Sequence, residues 1–306
     1  MNTLYKRICI VAIFSCLFVG ASAQKIDKKL QRQVEALAKG FNGDVGVYIK
    51  DLKKGKTVAI HADTVFPTAS VVKVPILVGV MDKIARGELS YHQELQYRDS
   101  LLYAGVDILG SFKQDEKIEL SKVMMLSLTM SDNTASLWLQ SLAGTGTRIN
   151  AIMDSLGLPN TKVNSRTPGR EAIRSVYGWG QTTPREMATL LERIYRGQII
   201  SRPVSDEMLR LLSREYWDDN AQSQIPPYAG KFSKTGAVDQ TRNEVLLVHG
   251  RKSVYILSFF SKNNKDTSWT HNNEAWVLMR KISALLWDHF EPKDNWTPAE
   301  GTGMFE

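Results

Sequence analysis

Apolar positions along the chain change period several times, and each change marks an element. Leu30, Val34, Leu37 and Phe41 recur at helical spacing, which predicts an amphipathic helix over residues 26–40. Val45, Val47 and Ile49 alternate with small or polar neighbours. A turn at Lys53-Lys54-Gly55-Lys56 follows, then residues 57–60, so this stretch predicts a β-hairpin. From Ser70 the pattern turns helical and stays so for about 150 residues. Within it, Thr183-Pro184-Arg185-Glu186 is a helix start: Thr183 caps, Pro184 fits the first helical position, and Glu186 is placed to return a capping-box bond. Strand patterning resumes at residues 245–248 and 254–260, and Leu278, Ile282, Leu285 and Leu286 close the chain as a helix.

An order of helix, hairpin, long helical insert, strands and helix requires the early and late strands to pair. The expected fold class is α/β (α+β): an antiparallel β-sheet flanked by the terminal helices, plus an all-α lobe. The α/β lobe takes residues 24–68 and 222–291, and the helical lobe residues 69–221. A cleft between two such lobes is a favoured place for small-molecule chemistry. The Pro/Gly-rich tail, residues 292–306, is expected to be loose. No internal repeat interrupts this plan.

Residues 1–23 change the picture, because they read as a secretory signal. Lys6 and Arg7 give a basic start, residues 8–19 are apolar, and Ala21-Ser22-Ala23 supplies a small-x-small cleavage site before Gln24. The alternatives are an uncleaved anchor and, less favoured by the Ile13-Phe14-Ser15 context, a lipoprotein cleaved before Cys16. The protein is therefore expected to be exported, periplasmic or secreted, with no membrane insertion once the leader is removed. Both cysteines, Cys9 and Cys16, would leave with it, which excludes disulfides and a thiol nucleophile from the mature chain.

At 43% hydrophobic and 23% charged residues, the composition is globular rather than disordered. The formal net charge of +7 falls to +5 with the loss of Lys6 and Arg7. The remaining cations are scattered rather than striped, so no nucleic-acid partner is expected. The five histidines show no metal-ligand spacing and there is no Gly-rich phosphate loop, so no cofactor and no metal is expected. The chain is expected to act as a monomer on a small molecule.

Three short motifs carry candidate chemistry. In Ser70-Val71-Val72-Lys73, positions three apart on a helix bring the lysine amine to the serine hydroxyl. Serine needs a base to become a nucleophile, and a lysine desolvated by Val71, Val72, Val74 and Ile76 has its pKa lowered towards that task. Pro75 requires the helix to begin close to Ser70. A chain this long holds on the order of one Ser-x-x-Lys by chance, so the motif needs company. Ser131-Asp132-Asn133 offers a hydroxyl to relay a proton to a leaving amine and an amide to bind a substrate carbonyl, although all three residue types also favour helix caps. Lys234-Thr235-Gly236, at the start of a late strand, offers a cation and a hydroxyl to a carboxylate, with a glycine that permits close approach of a ligand.

In this order and spacing the three motifs resemble those of class A β-lactamases and related penicillin-binding serine hydrolases. The resemblance extends through Val45-Gly46-Val47-Tyr48, Phe66-Pro67-Thr68-Ala69, Lys73-Val74-Pro75, Met130-Ser131-Asp132-Asn133-Thr134-Ala135, Thr182-Thr183-Pro184 and Lys234-Thr235-Gly236-Ala237. It implies that Ser70 is acylated, Lys73 activates it, and Ser131 shuttles the proton to the leaving nitrogen. It further implies that Asn133, Lys234, Thr235 and Gly236 meet the substrate, and that backbone N–H groups of Ser70 and Ala237 form the oxyanion hole. Loss of one such donor costs on the order of 100- to 1,000-fold in rate. Arg242 lies one position from where many relatives hold an arginine that contacts the substrate carboxylate.

Departures from the family pattern cluster where deacylation is carried out. An ungapped count back from Pro184 puts Thr167 at the position of the family's water-activating glutamate; a gapped one puts Glu171 there, with Ser175 in place of the neighbouring asparagine. Glu171 reads equally as a solvated residue paired with Arg170 or Arg174. Leu137 stands where relatives carry a bracing asparagine, and no aspartate near Gly180-Gln181 can make the family's loop-closing ion pair. Tyr103 is a candidate for the cleft mouth or for the core. Three readings follow: a β-lactam hydrolase; a peptidase, amidase or esterase directed at peptidoglycan-like substrates; and a penicillin-binding protein acylated once and released slowly.

Overall fold

The computed structural model describes residues 25–103 and 107–299. Residues 1–23, expected to be a leader, and the end of the tail lie outside the described residues. In chain order, Lys25–Ile26 (β1), Lys28–Ala38 (α1), Asp44–Asp51 (β2) and Lys56–Ile60 (β3) come first. A helical segment follows: Lys73–Ala85 (α2), Leu120–Thr129 (α3), Asn133–Leu142 (α4), Thr145–Ser155 (α5), Glu171–Tyr177 (α6), Pro184–Tyr195 (α7) and Arg202–Leu212 (α8). Gly230–Val238 (β4), Thr241–His249 (β5), Val254–Lys262 (β6) and Glu274–Phe290 (α9) complete the fold.

The six strands form one sheet in the order β1-β3-β2-β6-β5-β4. Early and late strands meet at β2 and β6, with Ile49 opposite Leu257 and Val47 opposite Phe259. All pairings are antiparallel except β1 with β3, which is parallel. The mixed α/β class expected from the hydrophobic pattern is the observed one.

Strand β6 is apolar along almost its whole length because both faces of the sheet are covered. Tyr255, Leu257 and Phe259 pack with Leu30 and Val34 of α1 and with Leu278, Ile282, Leu286 and Trp287 of α9. Val254, Ile256 and Phe260 point the other way, into a larger core with Leu190, Leu191 and Ile194 of α7. That core continues through the buried face of α2 into the helical segment.

Some expectations need correction. The stretch after Ser70 is not uniformly helical. Glu94–Gln96 pairs with Lys117–Glu119, and Gly180–Thr182 pairs with both Phe66–Pro67 and Lys162–Val163. Strands of two or three residues carry too few side chains for a period of two to register in sequence. Thr183 caps α7 as expected, accepting from the Glu186 N–H at 3.2 Å. Glu186 does not return the bond: its carboxylate instead accepts from Asn160 N–H and Thr161 Oγ1. The beginning of the tail is tethered, since Tyr228 Oη donates to Asp294 at 2.8 Å. Among the described residues, no helix is long and apolar enough to cross a membrane.

Candidate active site

Ser70 sits in a single tight turn, Ala69–Val72, wedged between the sheet and the helices. Thr68 N–H donates to Gly180 O at 2.9 Å and anchors its entry. Ala69 holds φ +46°, a left-handed conformation that costs a non-glycine residue on the order of 1–3 kcal/mol and persists only when the surroundings enforce it. Helix α2 then begins at Lys73, so Pro75 falls in its first turn, where the N–H groups lack intrahelical acceptors. This is the placement that Pro75 demanded.

One turn on, Lys73 Nζ lies 3.0 Å from Ser70 Oγ. It also reaches Ser131 Oγ and Asn133 Oδ1, each at 3.0 Å, and the Ser131 carbonyl at 2.5 Å. Lys73 is fully buried. Burial, followed by the nearby Lys234 charge, pulls the amine down to about 7, against the opposing pull of Glu215, Asp107 and Asp132. A substantial fraction is therefore neutral near pH 7, with a lone pair able to accept the Ser70 proton.

The second motif both caps a helix and presents the Ser131 hydroxyl to Lys73. Asp132 Oδ1 accepts from Ala135 N–H at 2.8 Å and starts α4, while Oδ2 accepts from Leu109 N–H at 2.8 Å. Asp107 accepts from the N–H groups of Asn133 and Thr134. Ser131, at φ +59°, is thereby held in a left-handed kink with its hydroxyl beside Lys73. Asn133 turns its oxygen to Lys73, which leaves the Nδ2 hydrogens as the donors it presents to a ligand.

The third motif lies in the middle of β4, an edge strand, rather than at a strand start. Lys234 is fully buried, and Glu215 accepts from it through both oxygens at 2.7 and 2.8 Å. Thr235 Oγ1 donates to the same carboxylate at 2.8 Å. Glu215 is delivered by a segment pinned to the end of α3, where Tyr216 N–H donates to Thr129 O and Trp217 Nε1 to Met130 O. Burial pushes the Glu215 carboxyl up while Lys234 pulls it down. Sequence reasoning missed this residue. The available signal was that a buried lysine needs a counter-charge, but the burial of Lys234 was itself not legible.

Gly236 is required by the turn at Ser70, not merely by a ligand. A Cβ there would lie 2.7 Å from Thr68 O and 2.8 Å from Ser70 N. The strand backbone therefore lies directly against the nucleophile's turn, and brings Ala237 and Ser70 to a common cavity of about 390 Å³. Ser131 and Thr235 line it too.

The serine, the buried amine and the second hydroxyl make this the likeness to test against known proteins. A model of the β-lactamase enzyme family matches residues 29–290. The chain belongs to the β-lactamase enzyme family. Among curated relatives, β-lactamase VEB-1 of Pseudomonas aeruginosa is 23% identical, covering 93% of this chain and 98% of its own. Among solved structures, PBP-A has a TM-score of 0.78 at 25% identity over 88% of this chain and 98% of its own, and one such structure is of a mutant described as an acyl-enzyme complex with penicillin G. A β-lactamase of Sphaerobacter thermophilus shares the fold with a TM-score of 0.77, at 22% identity over 87% of this chain and 98% of its own. The protein is thus a class A β-lactamase-like serine hydrolase.

Against the pattern of β-lactamases, two expected site residues lie elsewhere. Glu171 opens α6, is exposed, and accepts from Gly169 N–H at 3.2 Å. It lines a separate open hollow with Arg166, Thr167 and Arg174, to which Ser70 does not contribute. Helix α6 starts at Glu171 itself, and its side chain is exposed. Thr167 is buried and donates to Ser165 O at 2.9 Å.

Arg242 is fully buried and is not among the residues lining the cavity that holds Ser70. Its guanidinium donates to the carbonyls of Asp239 and Ser268 at 2.8 Å and of Thr241 at 2.9 Å. It also lies 4.4 Å from the ring centre of Trp269 and 4.8 Å from that of Trp276. The arginine thus staples the β4–β5 turn to the loop before α9.

Gln140 and Arg170 brace the 161–182 loop through hydrogen bonds to uncharged partners. With Leu137 buried, Gln140 one turn further along α4 donates to Ser165 O and accepts from Ser165 Oγ at 2.8 Å. Arg170 closes the loop by donating to Asn164 Oδ1 at 2.6 Å and Gln181 Oε1 at 3.0 Å. Trp179 O accepts from Asn164 and Ser165, and its ring meets Tyr103 edge-on at 5.0 Å. Tyr103 is therefore a partly exposed bridge to this loop, not a core residue.

Proposed function

We propose that this hydrolase is acylated at Ser70 by β-lactams and releases the acyl group slowly. The observation that carries the reading is the 3.0 Å approach of the buried Lys73 amine to Ser70 Oγ, with Ser131 Oγ equally close on its other side. Neutral Lys73 takes the Ser70 proton as Oγ attacks the amide carbonyl. The N–H groups of Ser70 and Ala237 hold the oxyanion. The proton passes from Lys73 through the Ser131 hydroxyl to the leaving nitrogen, and the C–N bond breaks. Asn133 Nδ2 holds a substrate amide carbonyl, and the Thr235 hydroxyl, which donates to Glu215 in the free protein, turns its proton to the substrate's acidic group.

Slow release is supported by the position of Glu171. The carboxylate best placed in sequence to activate water lines a different hollow from the one holding Ser70. Among the described residues, the hydrogen-bond partners of Lys73 are hydroxyl, carbonyl and amide oxygens, none of them a carboxylate. The likeness to PBP-A, a mutant of which is described as an acyl-enzyme complex with penicillin G, supports the acylation step. Residues 1–23 fit this role as an export leader that delivers the protein to where β-lactams and peptidoglycan-like peptides are met.

Mixing the mature protein with a chromogenic cephalosporin while following both colour and intact mass tests the reading. One equivalent of cleavage and a persistent adduct, absent in Ser70→Ala, is the expected result. Rapid multiple turnover would replace slow release by full β-lactamase activity. No adduct and no turnover, with activity on a peptide or ester, would transfer the same machinery to that substrate class.

A further inference from the structure

We infer that the cavity beside Ser70 contains an aromatic subsite that takes a neutral, flat ring on the leaving-group half of the substrate; this rests on the acylation chemistry proposed above. The cavity that holds Ser70, Ser131 and Thr235 is also lined by Trp217, Trp269 and Trp276, with Asp219, His271 and Arg280 as its polar part. Trp217 and Trp269 are 46% and 63% exposed, an apolar area that the folded chain leaves uncovered inside a concave site.

The indoles are held in place rather than mobile by default. Trp217 Nε1 donates to Met130 O at 3.1 Å. Trp269 and Trp276 meet edge-on, with ring centres 5.9 Å apart, and both pack on the Arg242 guanidinium. Arg242, expected from sequence to touch the substrate, thereby acts on it at one remove by positioning these rings.

Which half of the substrate enters follows from Ser131. Its hydroxyl serves the leaving nitrogen, and it opens into the same cavity as the tryptophans, whereas residues 164–175 line a separate hollow. Substituents carried on the leaving side are therefore the ones that reach the indoles. The polar part sets the charge preference. Asp219 offsets Arg280, and burial together with Arg280 lowers the His271 pKa, so the surroundings sum to near neutrality. A neutral heteroaromatic ring stacks there without bringing an unmatched charge.

The test uses the full mature chain carrying Ser70→Ala, so that binding is read without acylation. The probes are two cephalosporins with one acyl side chain, bearing either a methyl or a neutral heteroarylthiomethyl group on the leaving side, titrated by tryptophan fluorescence and calorimetry. The aromatic compound is expected to bind about tenfold more tightly. Trp269→Ala, and separately Trp217→Ala, should reduce that ratio to within about twofold while far-UV circular dichroism stays unchanged. A carboxylated or cationic ring should gain nothing over the neutral one.

Equal affinity for the methyl and aromatic compounds in Ser70→Ala overturns the subsite, as does a preference that survives both tryptophan variants. Intact mass of the wild-type chain with the same compounds separates this from the catalytic reading. Selective binding without any adduct keeps the subsite and removes the acylation; an adduct formed without selectivity does the reverse.

Discussion

Glu215 grips Lys234 through both carboxylate oxygens, at 2.7 and 2.8 Å, and neither side chain reaches solvent. A lysine expected to be open to a substrate carboxylate thus already carries an internal one. The pair also sits within electrostatic reach of Lys73, on which its two members act in opposite directions. The proposed substrate contact at Thr235, the proposed base Lys73 and the stability of the fold are therefore expected to be coupled through one ion pair.

Glu215→Gln tests that coupling. Leaving Lys234 buried without its counter-charge should cost about 3–5 kcal/mol in unfolding free energy. Glu215 raises the Lys73 pKa, so its removal should move the acid limb of the acylation profile to lower pH. Denaturant titration and stopped-flow acylation read the two effects; an unmoved limb with unchanged stability would uncouple Glu215 from both lysines.

Acylation of the wild-type protein should follow the neutral fraction of Lys73. With the amine at about 7, the second-order rate should rise roughly tenfold per pH unit on the acid side and level off above neutrality. A rate flat from pH 5 to 8, measured by adduct formation in mass spectra, would take Lys73 out of the role of base.

Gly236→Ala places a methyl group 2.7 Å from Thr68 O and 2.8 Å from Ser70 N, where only backbone stands to give way. The strand must retreat from the nucleophile's turn, at a cost of about 1–3 kcal/mol. Loss of acylation by a factor of 100 or more is expected, because Ala237 moves with the strand and removes an oxyanion donor. Melting temperature and adduct rate check this together.

Glu171→Gln should leave both the rate of adduct formation and the adduct's lifetime within about twofold of wild type, since a surface carboxylate contributes little at a distance. A lifetime lengthened manyfold would bring Glu171 back to the reacting centre.

Glu244 is expected to give stability a pH dependence of its own. Burial pushes its carboxyl up to about 8 from the usual 4.5, despite hydrogen bonds from Ala221 N–H and Ser233 Oγ. The folded state then binds a proton that the unfolded chain has released, so this group's contribution is full below pH 4.5 and is lost as pH rises towards 8. Glu244→Gln can keep the bond from Ala221 N–H at Oε1 and reverse the other, with Nε2 donating to Ser233 Oγ, and the difference in unfolding free energy between variant and wild type should grow over that interval. A difference that stays constant with pH would show Glu244 to be ionised in the fold.

Local periodicity was enough for much of this protein. Spacing of three along a helix determined that Lys73 meets Ser70, Pro75 placed the helix start, and alternation at residues 45–49 with the apolar runs at 245–248 and 254–260 located strands of the sheet. These relations act within a turn or a strand, so the chain's own geometry enforces them wherever the segment lies. What only the tertiary structure decided were encounters between distant segments. Glu215 reaches Lys234 because its segment docks on the end of α3; Arg242 is captured by carbonyls from the β4–β5 turn and the loop before α9. Glu171 is carried away from Ser70 by the start of α6, and Gln140 takes over the bracing that Leu137 cannot supply. Each depends on register, on where a helix begins and on which side chain is desolvated. Those quantities belong to packing, and no spacing along the sequence encodes them.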